Sequence, residues 1–322
     1  MVKIDVIRAS NADTKDKLPA GLVALFVGAT SGIGEHTLRT FFEAAPSPRV
    51  YFIGRSQSSA DRIIASLQPL NPNGHLEFIQ ADVSLLKNVD EAVKKFSAKE
   101  KELNLLMMSQ GFLTLEGRVE TAEGLDTKLA LNYFSRARFI QHLLPALTAA
   151  TSTKSDNPVG ARVISVLSAG MEGPINFADF ELKTTFSLRN AGAQAVSFNS
   201  ASAKYLATQH PSIGFIHSYP GAVETPILES SRMPWYVKVP ARVVIPFFRY
   251  FIATAEESGQ RHYWLSTAEK FKTGGWLVDQ AGDESATAKK SVETGVCDEA
   301  VGEKVWKKSL EIFEKVEKEG KA

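Results

Sequence analysis

A short apolar run that passes directly into a glycine-rich turn limits the fold of this chain more than any other feature. Residues 22–27 read LVALFV, a composition typical of a buried parallel strand. The next seven residues, 28–34, read GATSGIG and lead into a helical pattern that continues to Ala44. Glycines in such a turn let a pyrophosphate approach the amide N–H groups at the positive end of the helix. Many tight turns contain three glycines, but this strand–turn–helix placement favours dinucleotide binding.

Strand and helix patterns continue to alternate along the chain. Further strands are predicted at Val50–Ile53, Leu76–Gln80, Leu103–Met108, Arg162–Val166 and Ile213–Ser218, with helices near 60–67, 89–99 and 124–148 and a last one that ends near His210. Each crossover between parallel strands must pack back onto the sheet. Six such units therefore predict a doubly wound parallel α/β sheet, the Rossmann fold, with helices on both faces.

The remaining segments predict additions to one Rossmann-type domain over residues 20–290. Residues 1–19 are predicted to be an N-terminal extension, and 291–322 a C-terminal helix with apolar positions every three to five residues. The Pro- and aromatic-rich residues 227–255 follow strand six and predict a substrate lid. Within them, 237–253 are the most apolar stretch, which fits a half-buried helix, a lid or a surface that touches a membrane. Residues 274–278 predict a final strand.

Composition excludes several classes of function. Lys and Arg total 37 and Asp and Glu total 36, so no basic surface for nucleic acid is expected. The single cysteine, Cys297, excludes an internal disulfide, and no two of the six histidines are three or four residues apart, so no metal site is predicted. No apolar run reaches the roughly 18 residues of a membrane span. We expect a cytoplasmic protein with a small-molecule substrate and a possible homodimer.

The glycine turn and several later segments resemble the short-chain dehydrogenase/reductase family. GATSGIG is similar to the family signature T-G-x-x-x-G-I-G, and the similarity extends over about residues 20–280. It is closest to retinol-dehydrogenase-like members and to reductases of fungal secondary-metabolite clusters. The resemblance implies that a nicotinamide dinucleotide is bound by Gly28, Ser31, Gly32, Ile33 and Gly34.

Other segments extend this predicted cofactor site. Arg55 follows the second strand, where an Asp or Glu would hold the ribose 2′-hydroxyl of NAD. An arginine suits a 2′-phosphate instead, so NADP(H) is the predicted cofactor. The resemblance also assigns Asp82 and Val83 to the adenine, Gly111 to the end of an N-N-A-G turn whose two asparagines are missing here, and Pro220, Gly221, Val223 and Thr225 to the nicotinamide.

The catalytic residues of the family are only partly matched. Asn132 corresponds to the family asparagine, and Ser168, two residues past strand five, corresponds to the family serine. Ser165 is the local competitor, and we expect it to point into the packing because it lies within the strand. These residues are predicted to hold the reacting carbonyl group.

The tyrosine and lysine of the family have no counterpart. One alignment places Gly192 and Val196 at their positions, and a second, through residues 200–204, places Phe198 or Asn199 at the tyrosine. General acid catalysis contributes about 10²–10⁴-fold to a rate, so its loss slows a reaction without preventing it. Glu172, four residues past Ser168, is the candidate proton donor that remains.

Together these patterns predict an NADP(H)-dependent oxidoreductase of atypical short-chain dehydrogenase/reductase type. Its predicted substrate is a carbonyl, enone or alcohol of a moderately large apolar metabolite, within secondary-metabolite biosynthesis. Two alternatives stay open. One is a non-redox isomerase, dehydratase or cyclase that uses the space left by Gly192. The other is a regulatory protein that binds NADP(H).

Overall fold

The computed structural model describes residues 2–15, 17–152, 159–244 and 252–322. Its centre is a seven-stranded sheet in the order β3-β2-β1-β4-β5-β6-β9, in which every neighbouring pair is parallel. The strands are β1 (Val23–Val27), β2 (Arg49–Gly54), β3 (His75–Gln80), β4 (Leu105–Met108), β5 (Ala161–Val166), β6 (Ile213–Ser218) and β9 (Gly274–Val278). The predicted doubly wound parallel sheet is confirmed, including its final strand at 274–278.

Helices cover both faces of this sheet. They are α1 (Ile4–Lys15), α2 (Gly32–Ala44), α3 (Gln57–Leu67), α4 (Leu86–Lys99), α5 (Thr127–Leu129), α6 (Ser135–Ser152), α7 (Leu188–Gln209), α8 (Ile227–Ser230), α9 (Trp235–Val244), α10 (Ala255–Thr267), α11 (Ala286–Glu293) and α12 (Glu299–Glu319). Alternate residues of β1 serve two separate cores: Leu25 packs with residues of α4, α6, α7 and α12, whereas Phe26 packs with residues of α2, α3 and α10. The two-residue period of a strand thus divides the interior into two layers.

One predicted helix differs from the structure. The long helix predicted over residues 124–148 consists of α5, a π-helical turn over Ala130–Phe134, and α6, which continues to Ser152. The turn ends with the amide of Ser135 donating to the carbonyl of Ala130, five residues earlier. The apolar periodicity of the sequence does not distinguish a turn with hydrogen bonds between residues five apart from a turn of an ordinary α-helix. Such turns are frequent at functional sites, and this one contains Asn132.

The two ends of the chain form helices that pack on the sheet layers. The side chain of Ile7 in α1 is fully buried, and Asn11 donates to the backbone and side-chain oxygens of Gln260 in α10. At the other end, α12 lies against α7 so closely that a Cβ atom on Gly302 would be 2.2 Å from the carbonyl oxygen of Ala201. The predicted N-terminal extension is therefore helical, and the predicted C-terminal helix covers one side of α7.

The predicted lid contains α8 and α9, while its residues 245–251 lie outside the described part of the chain. Both of its ends are joined by a small parallel ladder, in which β7 (Val223–Glu224) pairs with β8 (Ala253–Thr254). In α9 the side chains of Trp235, Tyr236 and Val239 are 76%, 60% and 49% exposed. Of these three residues only Val239 belongs to the stretch 237–253, in which Val237 and Lys238 are half-buried, so the three interpretations of that stretch stay predictions.

Two features are absent from the described residues. In those ranges no helix combines the length and apolar character that crossing a bilayer requires. Within the same ranges no group of three His, Cys, Asp or Glu side chains is placed to hold a metal ion.

Candidate active site and cofactor cleft

A cleft of about 680 Å³ opens at the carboxyl ends of the strands, beside the point where the strand order reverses between β1 and β4. In open α/β sheets this is where ligands bind. The cleft brings together ten of the predicted cofactor residues, namely Gly28, Ser31, Gly32, Ile33, Gly34, Arg55, Asp82, Val83, Gly111 and Thr225. Segments that are more than 190 residues apart in the sequence therefore line one site.

The floor of the cleft requires glycine at two positions. Gly28 has a φ of +80°, and a Cβ atom there would lie 2.6 Å from the backbone nitrogen of Gln110. A Cβ atom on Gly34 would lie 2.5 Å from Oγ of Ser109. Both glycines hold the turn against the segment that follows β4, which leaves the backbone as the surface that faces a ligand.

Polar groups in the cleft are available to a ligand. Ser31 caps α2 without a side-chain capping bond to a backbone amide of that helix, so its hydroxyl group lies at the positive end of the helix and does not serve as the cap acceptor. The side-chain oxygen Oε1 of Gln110 is buried and accepts no hydrogen bond from any described residue. An unfilled acceptor and an anion-binding helix end in one cleft fit the ribose hydroxyls and the pyrophosphate of a dinucleotide.

Arg55 lies in the cleft at the carboxyl end of β2, next to the first turn of α3. None of the ion pairs among the described residues involves its guanidinium group. Ser56 and Ser59 line the cleft beside it, and Oγ of Ser56 accepts a bond from the amide of Ser59 at 3.2 Å. A free arginine at a helix N-terminus forms a site for a dianionic phosphate group.

Three residues that the resemblance assigned to the nicotinamide do not line the cleft: Pro220, Gly221 and Val223. The side chain of Gln280 packs on Gly221, where a Cβ atom would be 2.3 Å from its Oε1. Val223 belongs to β7 and pairs with Ala253. The turn after β6 thus reaches the cleft only through Thr225 and the residues that follow it.

Asn132 and Ser168 are half-buried and do not line this cleft. The side-chain oxygen of Asn132 would be 3.3 Å from a Cβ atom on Gly111, which places it at the end of the loop after β4. Its backbone carbonyl accepts a bond from Nδ2 of Asn199 in α7, at 2.8 Å. Ser165 is buried, as expected, and donates to Oδ1 of Asn199 at 2.7 Å.

Glu172 takes part in a chain of hydrogen bonds below Ser168. Its carboxylate accepts bonds from the amide of Gly170, at 2.9 and 3.1 Å, and from Oγ of Ser200, at 2.7 Å. Ser200 also contacts Nδ1 of His217 at 2.7 Å, and Nε2 of that ring accepts the amide of Ser168 at 3.3 Å. These bonds connect Glu172 to the backbone of its own loop and to α7, and so anchor the loop after β5.

The positions of the missing tyrosine and lysine lie on α7. Gly192 is exposed, and a Cβ atom there would meet no atom within 4 Å. Val196, one turn later, is 4% exposed. Lys204 is held elsewhere, because its Nζ donates to the carbonyl oxygen of Gly275 in β9 at 2.7 Å. Neither alignment thus places an ionisable side chain at these positions.

Comparisons with known proteins agree with this fold and cleft. The family model for short chain dehydrogenase matches residues 22–181. The chain is 44% identical over 269 residues to Oxidoreductase AN1596 of Emericella nidulans, which covers 83% of this chain and 78% of that protein. It is 32% identical over 346 residues to the NmrA-like family domain-containing oxidoreductase notO of an Aspergillus species, which covers 100% and 98%. The chain belongs to the short-chain dehydrogenase family and is an enzyme of that type.

Solved structures show the same fold at low sequence identity. L-sorbose reductase from Gluconobacter frateurii, complexed with NADPH and L-sorbose, superposes with a TM-score of 0.61 at 17% identity, over 85% of this chain and 99% of that one. NADPH-bound carbonyl reductase from chicken fatty liver gives 0.58 at 17% identity, over 83% and 100%. At this level of identity the likeness extends to the architecture alone.

Proposed function

We propose that this enzyme is an NADP(H)-dependent oxidoreductase that acts on the carbonyl, enone or alcohol group of a moderately large apolar metabolite. The observation that carries the cofactor assignment is the guanidinium group of Arg55, which lies beside Ser56 and Ser59 and forms no ion pair with any described residue. These residues would hold the 2′-phosphate, and the turn at 28–34 would hold the pyrophosphate. When bound, NADPH supplies the hydride. NADPH in the two neighbouring solved structures supports the same choice.

The substrate assignment rests on where apolar side chains are exposed. Among the described residues, ten large hydrophobic side chains are exposed, and all but Val6 and Leu70 lie on segments that follow the carboxyl ends of β4, β5 and β6. These eight are Leu113, Leu115, Met171, Leu188, Ile227, Trp235, Tyr236 and Val239. An apolar surface concentrated around a cleft is typical of a binding site for an apolar molecule. The fungal source of the relatives favours a secondary metabolite.

The cofactor assignment is tested by titrating the protein with NADPH and NADH and following energy transfer from its tryptophans. We expect NADPH to bind at least tenfold more tightly. Arg55→Asp should weaken NADPH binding by about 100-fold, because it replaces a charge-assisted bond with repulsion, and should change NADH binding less than threefold. Arg8→Asp makes the same change of charge outside the cleft and should alter neither. Equal loss of both cofactors in Arg55→Asp would refute the 2′-phosphate site.

The open position on α7 favours a second candidate, a non-redox reaction on the same fold. Gly192 and Val196 leave this part of the site without an ionisable group and with space for a bulky substrate. A panel of apolar ketones, enones and alcohols of increasing size distinguishes the two. Loss of NADPH absorbance in proportion to product supports the oxidoreductase. Product formed with no change in NADPH supports an isomerase, dehydratase or cyclase.

The oligomeric state of the protein and its location in the cell can be tested separately. We propose a location in the cytoplasm, to be checked by microscopy of a tagged chain. A homodimer would have to use a surface other than the side of α7 that α12 covers. Light scattering of the purified protein measures the assembly directly.

A further inference from the structure

Arg136 is a fully buried arginine at the carboxyl ends of the central strands. It lies at the start of α6, and its side chain is 1% exposed. Its guanidinium group donates to the carbonyl oxygens of Gln110, at 2.7 Å, and Val166, at 2.9 Å. It also donates to Oγ of Ser165 at 2.6 Å. These acceptors tie together the ends of β4 and β5.

All of these partners are neutral. No carboxylate among the described residues forms an ion pair with Arg136, whereas buried arginines are ordinarily paired. A charge in the interior without a counter-charge is costly, and its field is weakly screened. The field already acts on a neighbour: burial, together with the positive charge of Arg136, lowers the pKa of His217 to about 3.

Arg136 places its positive charge near one end of the cleft. Arg55 marks the adenosine end, at the carboxyl end of β2. A dinucleotide extended across the carboxyl edge would place its nicotinamide end near β4 and β5. Gln110 lines the cleft there and accepts a bond from Arg136. The oxidised nicotinamide ring carries a positive charge and the reduced ring does not, so a fixed cation at this edge disfavours only the oxidised ring.

We propose that Arg136 determines the preference of the site for the reduced over the oxidised cofactor. This rests on the proposed function, because it requires that the cleft binds NADP(H). In this role Arg136 touches neither cofactor nor substrate and acts through its charge. The quantity that reports it is the ratio of the dissociation constants of NADP⁺ and NADPH.

Isothermal titration calorimetry of both forms measures this ratio. Arg136→Met removes the charge and should lower the ratio about tenfold, the effect of one charge acting over roughly 10 Å at an effective dielectric constant of about 20. Ser165→Asp is a second variant, in case the first does not fold. It would place a carboxylate against the guanidinium group, beside an internal cavity of about 20 Å³ that both residues line, and it should lower the ratio in the same direction.

Arg162 provides a matched control. It is also fully buried without a carboxylate partner among the described residues, but it bonds to the carbonyl oxygens of Val159, Leu265 and Thr267 at the other end of β5. Arg162→Met should lower stability and leave the ratio within twofold of the wild type. A purely structural role of Arg136 would weaken both cofactor forms equally.

Two results separate failure of this assignment from failure of the proposed function. If the wild-type protein binds neither NADPH nor NADP⁺, the cofactor proposal is overturned and this assignment with it. If both bind, and folded Arg136→Met or Ser165→Asp leaves the ratio unchanged, only the role of Arg136 is overturned.

Discussion

The turn at 28–34 and the position on α7 that one alignment gives to the family tyrosine each contain a glycine, and the two glycines differ in what surrounds them. Gly28 has a left-handed backbone conformation, and a Cβ atom there would collide with the backbone of Gln110, in the segment after β4. Gly192 lies in a helix, and a Cβ atom there would meet nothing. The first site is therefore determined by the backbone and tolerates almost no change. The second is determined by side chains, so its chemistry can be lost while the fold persists.

The largest expected effect compares the same substitution at both positions. Gly28→Ala should lower the free energy of unfolding by about 4 kcal/mol, because it combines an unfavourable φ with a backbone clash. Gly192→Ala should raise it by about 0.5–1 kcal/mol, the difference between glycine and alanine within a helix. Urea denaturation measures both. Similar changes in the free energy of unfolding at the two positions would show that Gly28 is no more constrained than Gly192.

Acid should destabilise the protein through protonation of the buried His217. Burial, aided by the charge of Arg136, lowers the pKa of His217 to about 3, against about 6.5 in the unfolded chain. On acidification the unfolded state therefore binds a proton at a higher pH than the folded state does. The contribution of neutral His217 to the free energy of unfolding is complete above pH 6.5 and is lost as the pH falls toward 3. One residue accounts for about 3 kcal/mol between pH 6.5 and 4.

Burial also lowers the pKa of His262 to about 4, and protonation of this residue adds an effect of the same sign. The test is the free energy of unfolding measured across this range of pH. His217→Asn should be less stable than the wild type at pH 7 and should lose about 3 kcal/mol less on going to pH 4. Parallel curves for the two proteins would mean that His217 is not the group that titrates.

Restoring the missing pair tests whether the α7 position is open to chemistry. Gly192→Tyr combined with Val196→Lys should raise the rate of NADPH-dependent reduction of a simple ketone by about 100-fold, within the range of general acid catalysis. Each single variant serves as a control, because the family uses the two groups together. No gain in a folded double variant would count against either the alignment through Gly192 or the assignment of redox chemistry.

The smallest expected effect concerns the hydrogen bonds of Ser200. Ser200→Ala removes the hydroxyl group between Glu172 and His217 and should cost about 1.5 kcal/mol, since it leaves Nδ1 of the buried His217 without this partner and removes one of the bonds to Glu172. Ser212→Ala, at an exposed position, should cost less than about 0.5 kcal/mol. Thermal denaturation of both variants gives the comparison. Equal costs would show that the chain of bonds is unimportant for stability.

The sequence was sufficient for features that are local in the chain. The turn at 28–34 predicts its own conformation because the strand, the glycines and the helix are contiguous. The place of Arg55 in the cleft is predictable for the same reason, since it follows β2 directly. The π turn around Asn132 was missed, because a spacing of five residues is not visible in an apolar pattern.

Features assembled from distant segments were not predictable. Arg136, Ser200 and His217 belong to three different elements, and only the fold brings them to the end of β5. One signal was present, a histidine within the apolar strand IGFIHS, but its partners could not be inferred from spacing. Gly221 does not line the cleft, and the side chain that packs on it, Gln280, is contributed by the distant segment after β9.

The ladder between β7 and β8 bears on how enzymes of this kind diversify. Because Val223 pairs with Ala253 and Glu224 with Thr254, the intervening segment leaves and re-enters the body of the protein at one point. The entropy cost of closing a loop rises only slowly with its length. Residues between the two pairs can therefore be lengthened, shortened or exchanged as a cassette during evolution without disturbing the sheet whose strand ends line the cleft.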